Sequence, residues 1–261
     1  MFQEKESSGQ EPEMNHHEEL DVYWEKSAGN RLVQALESGR PLADALSDLP
    51  GFIEAFSAPL DTLDCSDGRV CSGHKMGLAG EGILLSEEEK AILKQAIRER
   101  GLAITGHDNC GAAALFHPGP DSDRYGYEQA RQLADETGAN YSEVHREDFL
   151  CPVHNERALV LEGTGCFDCA NWEEFPAQFI SSAPALGLPD SYTKKEVAAL
   201  SNIALGDHGF GERFNAEHPF YVIVAARNEE QLNNLLAVAR EAVSEFGERV
   251  KVEGFVAPLK S

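Results

Sequence analysis

The chain has 261 residues, of which 45 are acidic and 22 are basic, so its formal net charge is −23. This charge repels phosphate backbones and argues against nucleic acid as a partner. No apolar run approaches the roughly 20 residues that span a bilayer, and the first residues lack the basic and apolar regions of a secretory signal. The sequence therefore predicts a cytoplasmic protein that does not bind membranes.

The N-terminal segment is predicted to be a disordered tail. Residues 1–20 are polar, acidic and almost free of branched apolar side chains, a composition that cannot form a packed core. Residues 21–261 are predicted to form a single α/β domain, since no internal repeat and no linker is evident. Leading helices are predicted over 29–38 and over 41–56, where Pro50 interrupts the apolar stripe.

A strand, a helix and a second strand are predicted next. Residues 60–63 form a short apolar run typical of a strand. Ser86 and Glu89 have the spacing of a capping box, which predicts a helix that runs to Arg100 and ends at Gly101. The apolar residues of this helix that are predicted to face the core are Ile92, Leu93, Ala96 and Ile97.

The strand predicted over 102–105 ends just before His107. A strand, a crossover helix and a strand indicate a βαβ unit with parallel strands. Cys65 follows the first strand as His107 follows the second, so both should lie at the carboxyl edge of the sheet. Open α/β sheets place their functional sites at this edge.

The second half of the chain has the same alternation of apolar runs. Strands are predicted over 158–161 and 220–225, and Asn228 is predicted to cap a helix that ends before Gly247. Residues 250–253 alternate in polarity, which favours a half-exposed edge strand. Two segments rich in Gly, Pro, His and Asp are predicted to be loops, 117–127 and 207–219.

Two cysteines and one histidine stand at the sheet edge. Cys65, His107 and Cys110 offer two thiolates and an imidazole, a set that Zn²⁺ favours. His107 and Cys110 are three residues apart, so one turn of the chain can direct both at one point. Three protein ligands leave a fourth position for water, which is typical of catalytic zinc. The alternative is that they are buried thiols and a histidine with an ordinary structural partner.

The spacing of these residues resembles that of a known family. C-x-D-x-R followed by H-x-x-C-G is the signature of the β-class carbonic anhydrases, and the similarity covers residues 60–116. The chain departs from that pattern in three respects: the interval between the two motifs is short, its Arg-Asn-Ala-Gly segment is replaced by residues 78–82, and the later chain differs. The resemblance is thus to a divergent member or a relative. The five matching residues are Cys65, Asp67, Arg69, His107 and Cys110.

The resemblance implies a fold, a cofactor and a reaction. The fold is α/β, with a mainly parallel central sheet flanked by helices and preceded by N-terminal helices. Zn²⁺ is held by Cys65, His107 and Cys110, and zinc-bound hydroxide converts CO₂ to bicarbonate reversibly. Asp67 orients the hydroxide and Arg69 orients Asp67. The family also implies a homodimer or a higher homo-oligomer.

Two alternative functions stay open. Zinc-bound hydroxide can also attack CS₂ or COS, so a hydrolase on the same scaffold fits the motifs. A non-catalytic zinc protein that binds bicarbonate is favoured by the altered interval 71–85. The intact pair of Asp67 and Arg69 argues against this last interpretation.

A second group of possible ligands lies later in the chain. Cys151 and His154 are three apart, as are Cys166 and Cys169, which is compatible with a structural zinc site. The predicted strand between the pairs would separate them by about 20 Å, so the site needs a hairpin. Otherwise, Cys166 and Cys169 could line the catalytic edge or form a redox pair. The candidates for a proton shuttle are His74, His117, His145, His154, His208 and His218.

Overall fold

The computed structural model describes most of the chain after its first 29 residues, and the predicted tail over 1–20 lies outside this part. It confirms the α/β class and the parallel pairing of the strands. The described ranges are 30–70, 75–149, 154–168, 175–206 and 211–259.

Within these ranges, eight strands form two four-stranded sheets, each of them parallel throughout. The strands are β1 Thr62–Asp64, β2 Lys75–Gly77, β3 Ala103–His107, β4 Tyr141–Val144, β5 Ala158–Glu162, β6 Gln178–Ser181, β7 Phe220–Ala226 and β8 Val250–Val256. The first sheet has the order β2-β1-β3-β4 and the second has the order β6-β5-β7-β8. The two halves thus repeat one strand topology, although the sequence itself indicates no internal repeat.

Seven α-helices flank or precede these sheets in the described part of the chain. The predicted capping box is present, since Ser86 accepts from the Glu89 N–H and Glu89 accepts in return. The predicted C-cap at Gly101 is also confirmed. The helices are α1 Asn30–Glu37, α2 Leu42–Ser47, α3 Glu87–Arg100, α4 Gly111–Phe116, α5 Ser122–Thr137, α6 Asp190–Ala204 and α7 Glu229–Ala242.

Three local predictions are wrong. The second leading helix, predicted over 41–56, ends at Ser47, because Pro50 cannot continue the helix, and a separate 3₁₀ turn follows at Glu54–Phe56. Ile92 does not face the core, because 38% of it is exposed on the outer side of α3. The predicted loop 117–127 overlaps α5, which begins at Ser122. The fully buried residues of α5 are all small, so the helix lacks the stripe of large buried apolar residues by which a helix is usually recognised. Those buried small residues are Gly126, Ala130 and Ala134.

The second sheet is covered on both faces. The N-terminal helices pack on one face, where Leu32 and Leu46 belong to the same apolar cluster as Val160 and Ile223. Helices α6 and α7 cover the other face. In a parallel sheet with two covered faces, each strand is a continuous apolar run and does not alternate between apolar and polar residues. This explains why β5 and β7 are evident in the sequence. The edge strand β8 alternates in exposure as predicted.

The two sheets meet where their edge strands β2 and β6 cross. The Ser182 N–H donates to the Gly77 carbonyl at 2.7 Å, and the Ile180 N–H donates to the Ser66 carbonyl at 3.0 Å. A Cβ atom on Gly77 would lie 2.3 Å from the Ile180 carbonyl oxygen, so only glycine permits this approach. The loop after β1 is therefore seated directly on the second half of the chain. Among the described helices, none has the length and hydrophobicity of a membrane span.

Candidate metal centre

The three predicted ligands meet at the carboxyl edge of the first sheet. Cys65 follows β1, His107 is the last residue of β3, and Cys110 precedes α4. One side-chain ligand atom from each lies within 4.8 Å of the other two. All three residues are buried. The sequence prediction that these residues form one group is thus confirmed.

The orientation of His107 suits a metal ligand. Its Nδ1 lies 2.6 Å from the Asp108 carbonyl oxygen, which can only accept, so Nδ1 carries the proton. Nε2 is also buried, and within the described residues it has no hydrogen-bond partner. A bound cation would supply the missing partner, as in zinc sites where the other ring nitrogen is fixed by a carbonyl.

The ligands hold protons that a metal would displace. A hydrogen bond from the Cys110 thiol, reinforced by His107, holds the pKa of Cys65 well below its ordinary value, whereas the same hydrogen bond and burial raise the pKa of Cys110. Burial alone would lower the pKa of His107, but the Cys65 thiolate and the nearby carboxylates raise it to about 10. The group therefore fits a divalent metal that binds as these protons leave. Two thiolates and an imidazole favour zinc among such metals.

A buried lysine fixes the loop that carries Cys65. Lys75 is 1% exposed, and its ammonium group donates to three backbone carbonyls. The Nζ atom is 3.2 Å from the Cys65 oxygen and 2.7 Å from the Asp67 oxygen, and it also bonds the Val70 oxygen. Removal of such a buried charge would leave three carbonyls without a partner. The sequence pattern does not single out Lys75.

Asp67 and Arg69 form a buried ion pair beside the ligands. The Arg69 side chain donates from Nε to Asp67 Oδ1 at 3.0 Å and from Nη2 to Asp67 Oδ2 at 2.6 Å. The backbone N–H of Arg69 also donates to Asp67 Oδ1, at 2.9 Å. Burial would raise the pKa of Asp67, but the bonds and charge of Arg69 hold it below its ordinary value. Asp67 is thus ionised and fixed in orientation, as predicted for this pair.

An aromatic ring covers the two motifs from outside. Phe149 lies with its ring centroid 5.4 Å from the Arg69 guanidinium carbon and 6.1 Å from the His107 ring. The π face of this ring attracts the positive charge of the Arg69 guanidinium. Phe149 lies beyond β4, in a segment without a recognisable pattern, so it could not be predicted from sequence.

The second half of the chain completes the site with a histidine and a glutamate. Asp67, His154 and Glu156 each offer an atom within 4.8 Å of the others. His154 Nδ1 is 3.1 Å from both carboxylate oxygens of Glu156. The side chain of His154 is 24% exposed and that of Glu156 is 2% exposed, so the imidazole connects the buried pair to the surface.

The other predicted candidates lie elsewhere. His117 stacks on Tyr125, His145 contacts Tyr127, and His218 contacts Glu37. Cys166 is a free thiol near the end of β5. Several members of the alternative zinc site and of the set of shuttle candidates lie outside the described residues. Those members are His74, Cys151, Cys169 and His208.

The corresponding edge of the second sheet carries different groups. Glu162 ends β5, and its carboxylate accepts from the backbone N–H groups of Thr164 and Gly165 at 2.6 and 2.8 Å. Arg227, which follows β7, donates to the Thr164 carbonyl at 2.8 Å. These polar groups thus form hydrogen bonds with one another. Within the described ranges, no second group of Cys and His ligands forms there.

In comparison with known proteins, no protein-family model, no curated protein and no solved structure gives a significant match to this chain.

Proposed function

We propose that this chain is a zinc-dependent lyase that interconverts CO₂ and bicarbonate, similar to the β-class carbonic anhydrases. The observation that carries the proposal is the buried trio of Cys65, His107 and Cys110 with the ion pair of Asp67 and Arg69 beside it. The trio alone would suit a structural metal. The adjacent pair supplies an oriented carboxylate, which a structural site does not need.

The chemistry depends on the metal for its nucleophile. When bound, Zn²⁺ supplies a water molecule that ionises near pH 7. The two thiolates offset the charge of the metal and weaken this effect, so the neighbouring residues have to assist.

Asp67 is placed to orient the nucleophile. Its carboxylate has about four lone-pair positions, and Arg69 occupies some of them at 2.6–3.0 Å. A remaining position can accept a hydrogen bond from the attacking group and aim its lone pair at carbon. Arg69 holds Asp67 ionised, so Asp67 does not itself keep the proton. Because all three ligand residues are buried, the site favours a small, uncharged substrate such as CO₂.

His154 is placed to carry the released proton to solvent. Its Nδ1 donates to Glu156, which leaves the rest of the ring available for proton exchange. Burial lowers the pKa of His154, but the hydrogen bond and charge of Glu156, together with the charge of Asp67, raise it above its ordinary value. Partial exposure then lets buffer or water accept the proton. Among the candidate histidines within the described ranges, His154 has a ring nitrogen within 4.8 Å of an Asp67 carboxylate oxygen, as this role requires.

The test combines zinc analysis with stopped-flow CO₂ hydration. We expect about one tightly bound zinc per chain, as a single three-ligand site requires, with activity lost on chelation and restored by Zn²⁺. Cys110→Ser should lose metal and activity. Cys166→Ser is the matched control, because it also removes one thiol, and it should keep both.

Two results would contradict the proposal in different ways. If Cys110→Ser keeps its zinc and Cys166→Ser loses it, the metal site is wrong. If the zinc-loaded wild type does not hydrate CO₂, the reaction is wrong, and turnover of COS or CS₂ under the same conditions would identify the hydrolase alternative.

A further inference from the structure

A second carboxylate faces the metal ligands and has no role in the mechanism above. Glu81 lies in the short 3₁₀ turn Ala79–Gly82 and is 4% exposed. Its Oε1 lies 3.9 Å from Nε2 of His107. Within the described residues, neither of these two buried atoms has a hydrogen-bond partner.

The backbone at Glu81 adopts a conformation that disfavours any side chain. Its φ and ψ are 49° and 28°, in the left-handed region, and the flanking Gly80 and Gly82 also have positive φ. A non-glycine residue in this region is strained. A third glycine at this position would remove the strain. A role of the Glu81 carboxylate is therefore needed to explain why a glutamate is present.

The turn that carries Glu81 is fixed against the metal site. The Gly80 N–H donates to the Cys65 sulfur at 3.4 Å, and the Ala79 N–H donates to Glu196 at 2.6 Å. A Cβ atom on Gly80 would lie 2.5 Å from the Cβ of Ala112 in α4. The carboxylate therefore extends from a rigid base between two ligand-bearing segments.

A divalent cation in the trio would account for this carboxylate. A buried carboxylate is strongly disfavoured unless a cation neutralises it. Arg69 neutralises Asp67, whereas Glu81 faces the metal ligand His107. Two atoms can share one zinc ion only if they lie within about 4.2 Å, the sum of the Zn–N and Zn–O distances. The separation of 3.9 Å between Glu81 Oε1 and His107 Nε2 meets this condition. Glu81 does not belong to the close group formed by the trio, so its side chain would have to move towards the two sulfur atoms when the metal binds.

We propose that Glu81 is a fourth ligand, which closes the resting metal site and must leave before water can occupy that position. The inference rests on the metal centre of the proposed function but not on CO₂ hydration. It assigns a metal ligand to the segment in which the chain departs from the carbonic anhydrase pattern.

The test replaces zinc with Co²⁺, whose visible d–d bands report the ligands directly. Wild type, Glu81→Gln and Asp67→Asn are compared in metal affinity and spectrum. The last is the matched control, because it removes a nearby negative charge without removing a ligand. We expect Glu81→Gln to change the d–d bands and to weaken Co²⁺ binding by about 100-fold, the upper end for groups around a metal. Asp67→Asn should keep the wild-type bands.

A second variant guards against a folding defect. Glu81→Gly relieves the left-handed strain, so the metal-free protein should be at least as stable as wild type while its Co²⁺ affinity falls. Wild-type bands in Glu81→Gln, or an affinity loss no larger than in Asp67→Asn, would overturn the proposal. Changed bands without CO₂ hydration in the wild type would refute the reaction and leave the ligand assignment standing. CO₂ hydration with unchanged bands would refute the ligand assignment alone.

Discussion

The backbone N–H of Ala79 donates a 2.6 Å hydrogen bond to Oε1 of Glu196, although 117 residues separate the two in sequence. Glu196 lies on α6, and its carboxylate also accepts from the hydroxyls of Ser66 and Ser181. One side chain of the second half thus holds both the turn that carries Glu81 and the loop between Cys65 and Asp67. The geometry of the metal centre therefore depends on the docking of the two halves.

The stability of the protein should depend on the ionisation of Glu196. Burial raises the pKa of Glu196 to about 7, although its three hydrogen bonds act to lower the value. The folded state binds the Glu196 proton more tightly than the unfolded state does. Protonated Glu196 therefore contributes fully to the free energy of unfolding below about pH 4.5, and this contribution is lost as the pH rises through 7. A shift from 4.5 to about 7 corresponds to about 3 kcal/mol of unfolding free energy.

Glu196→Gln tests this dependence. The amide keeps an acceptor for Ala79 and Ser66 and can donate to Ser181, so the fold should persist. Urea unfolding from pH 4.5 to 8, with both proteins loaded with zinc in the same way, should show a flatter profile for the variant. Parallel profiles for the two proteins would show that Glu196 does not titrate as described.

Gly68 should tolerate no side chain. Gly68 lies between Asp67 and Arg69 in the sequence. A Cβ atom at this position would lie 2.1 Å from the Gln178 carbonyl oxygen in β6. We expect Gly68→Ala to lower the free energy of unfolding by about 1–3 kcal/mol or more and to weaken zinc binding. Gly111→Ala is the control, since no atom lies within 4 Å of its added Cβ. Equal stability of the two variants in urea unfolding would contradict the close contact between the halves.

His154→Ala should separate proton transfer from CO₂ conversion. If His154 exports the proton, kcat should fall by about tenfold or more, whereas kcat/KM should be unchanged because conversion precedes export. Imidazole buffer should restore kcat. Since the pKa of His154 is raised, the wild-type kcat should rise with pH through a limb above 6.5, the ordinary value for histidine.

The control for this experiment is His218→Ala, because His218 contacts Glu37 on α1 and not Asp67. It should leave kcat and kcat/KM as in wild type. A parallel fall of both constants in His154→Ala, or no response to imidazole, would indicate that His154 has a structural role.

Local signals allowed part of the fold to be predicted. Helix α3 was predicted with both its ends because a capping box and a C-cap glycine lie within the helix itself. Strands β5 and β7 were predicted because both their faces are buried. The sequence patterns do not predict strands β2, β4 and β6, which have three or four residues each, or helices α4, α5 and α6. The buried residues of α5 are all small, and β6 is held by contacts with the first sheet.

The predicted part of the site consists of residues close together in sequence. Cys65, Asp67 and Arg69 follow one strand closely, and His107 and Cys110 lie at the end of another. Their short spacing in the sequence therefore indicates the metal ligands and the ion pair. Glu196 could not be predicted, because it reaches Ser66 across 130 residues and belongs to no pattern. Glu81 had one available signal, which was that its segment differs from the carbonic anhydrase pattern.

The most direct test of the proposed reaction is stopped-flow CO₂ hydration by Asp67→Asn, with zinc measured in the same sample. An amide retains one acceptor oxygen for Arg69 but can donate to the nucleophile and misdirect its lone pair. We expect full zinc content with a rate that is about 10–100-fold lower. Arg69→Ala should act in the same direction, and the double variant should be little worse than the poorer single variant, because the pair acts as a unit. Near-wild-type rates in fully loaded Asp67→Asn would contradict the mechanism and favour a zinc protein that binds bicarbonate without converting it.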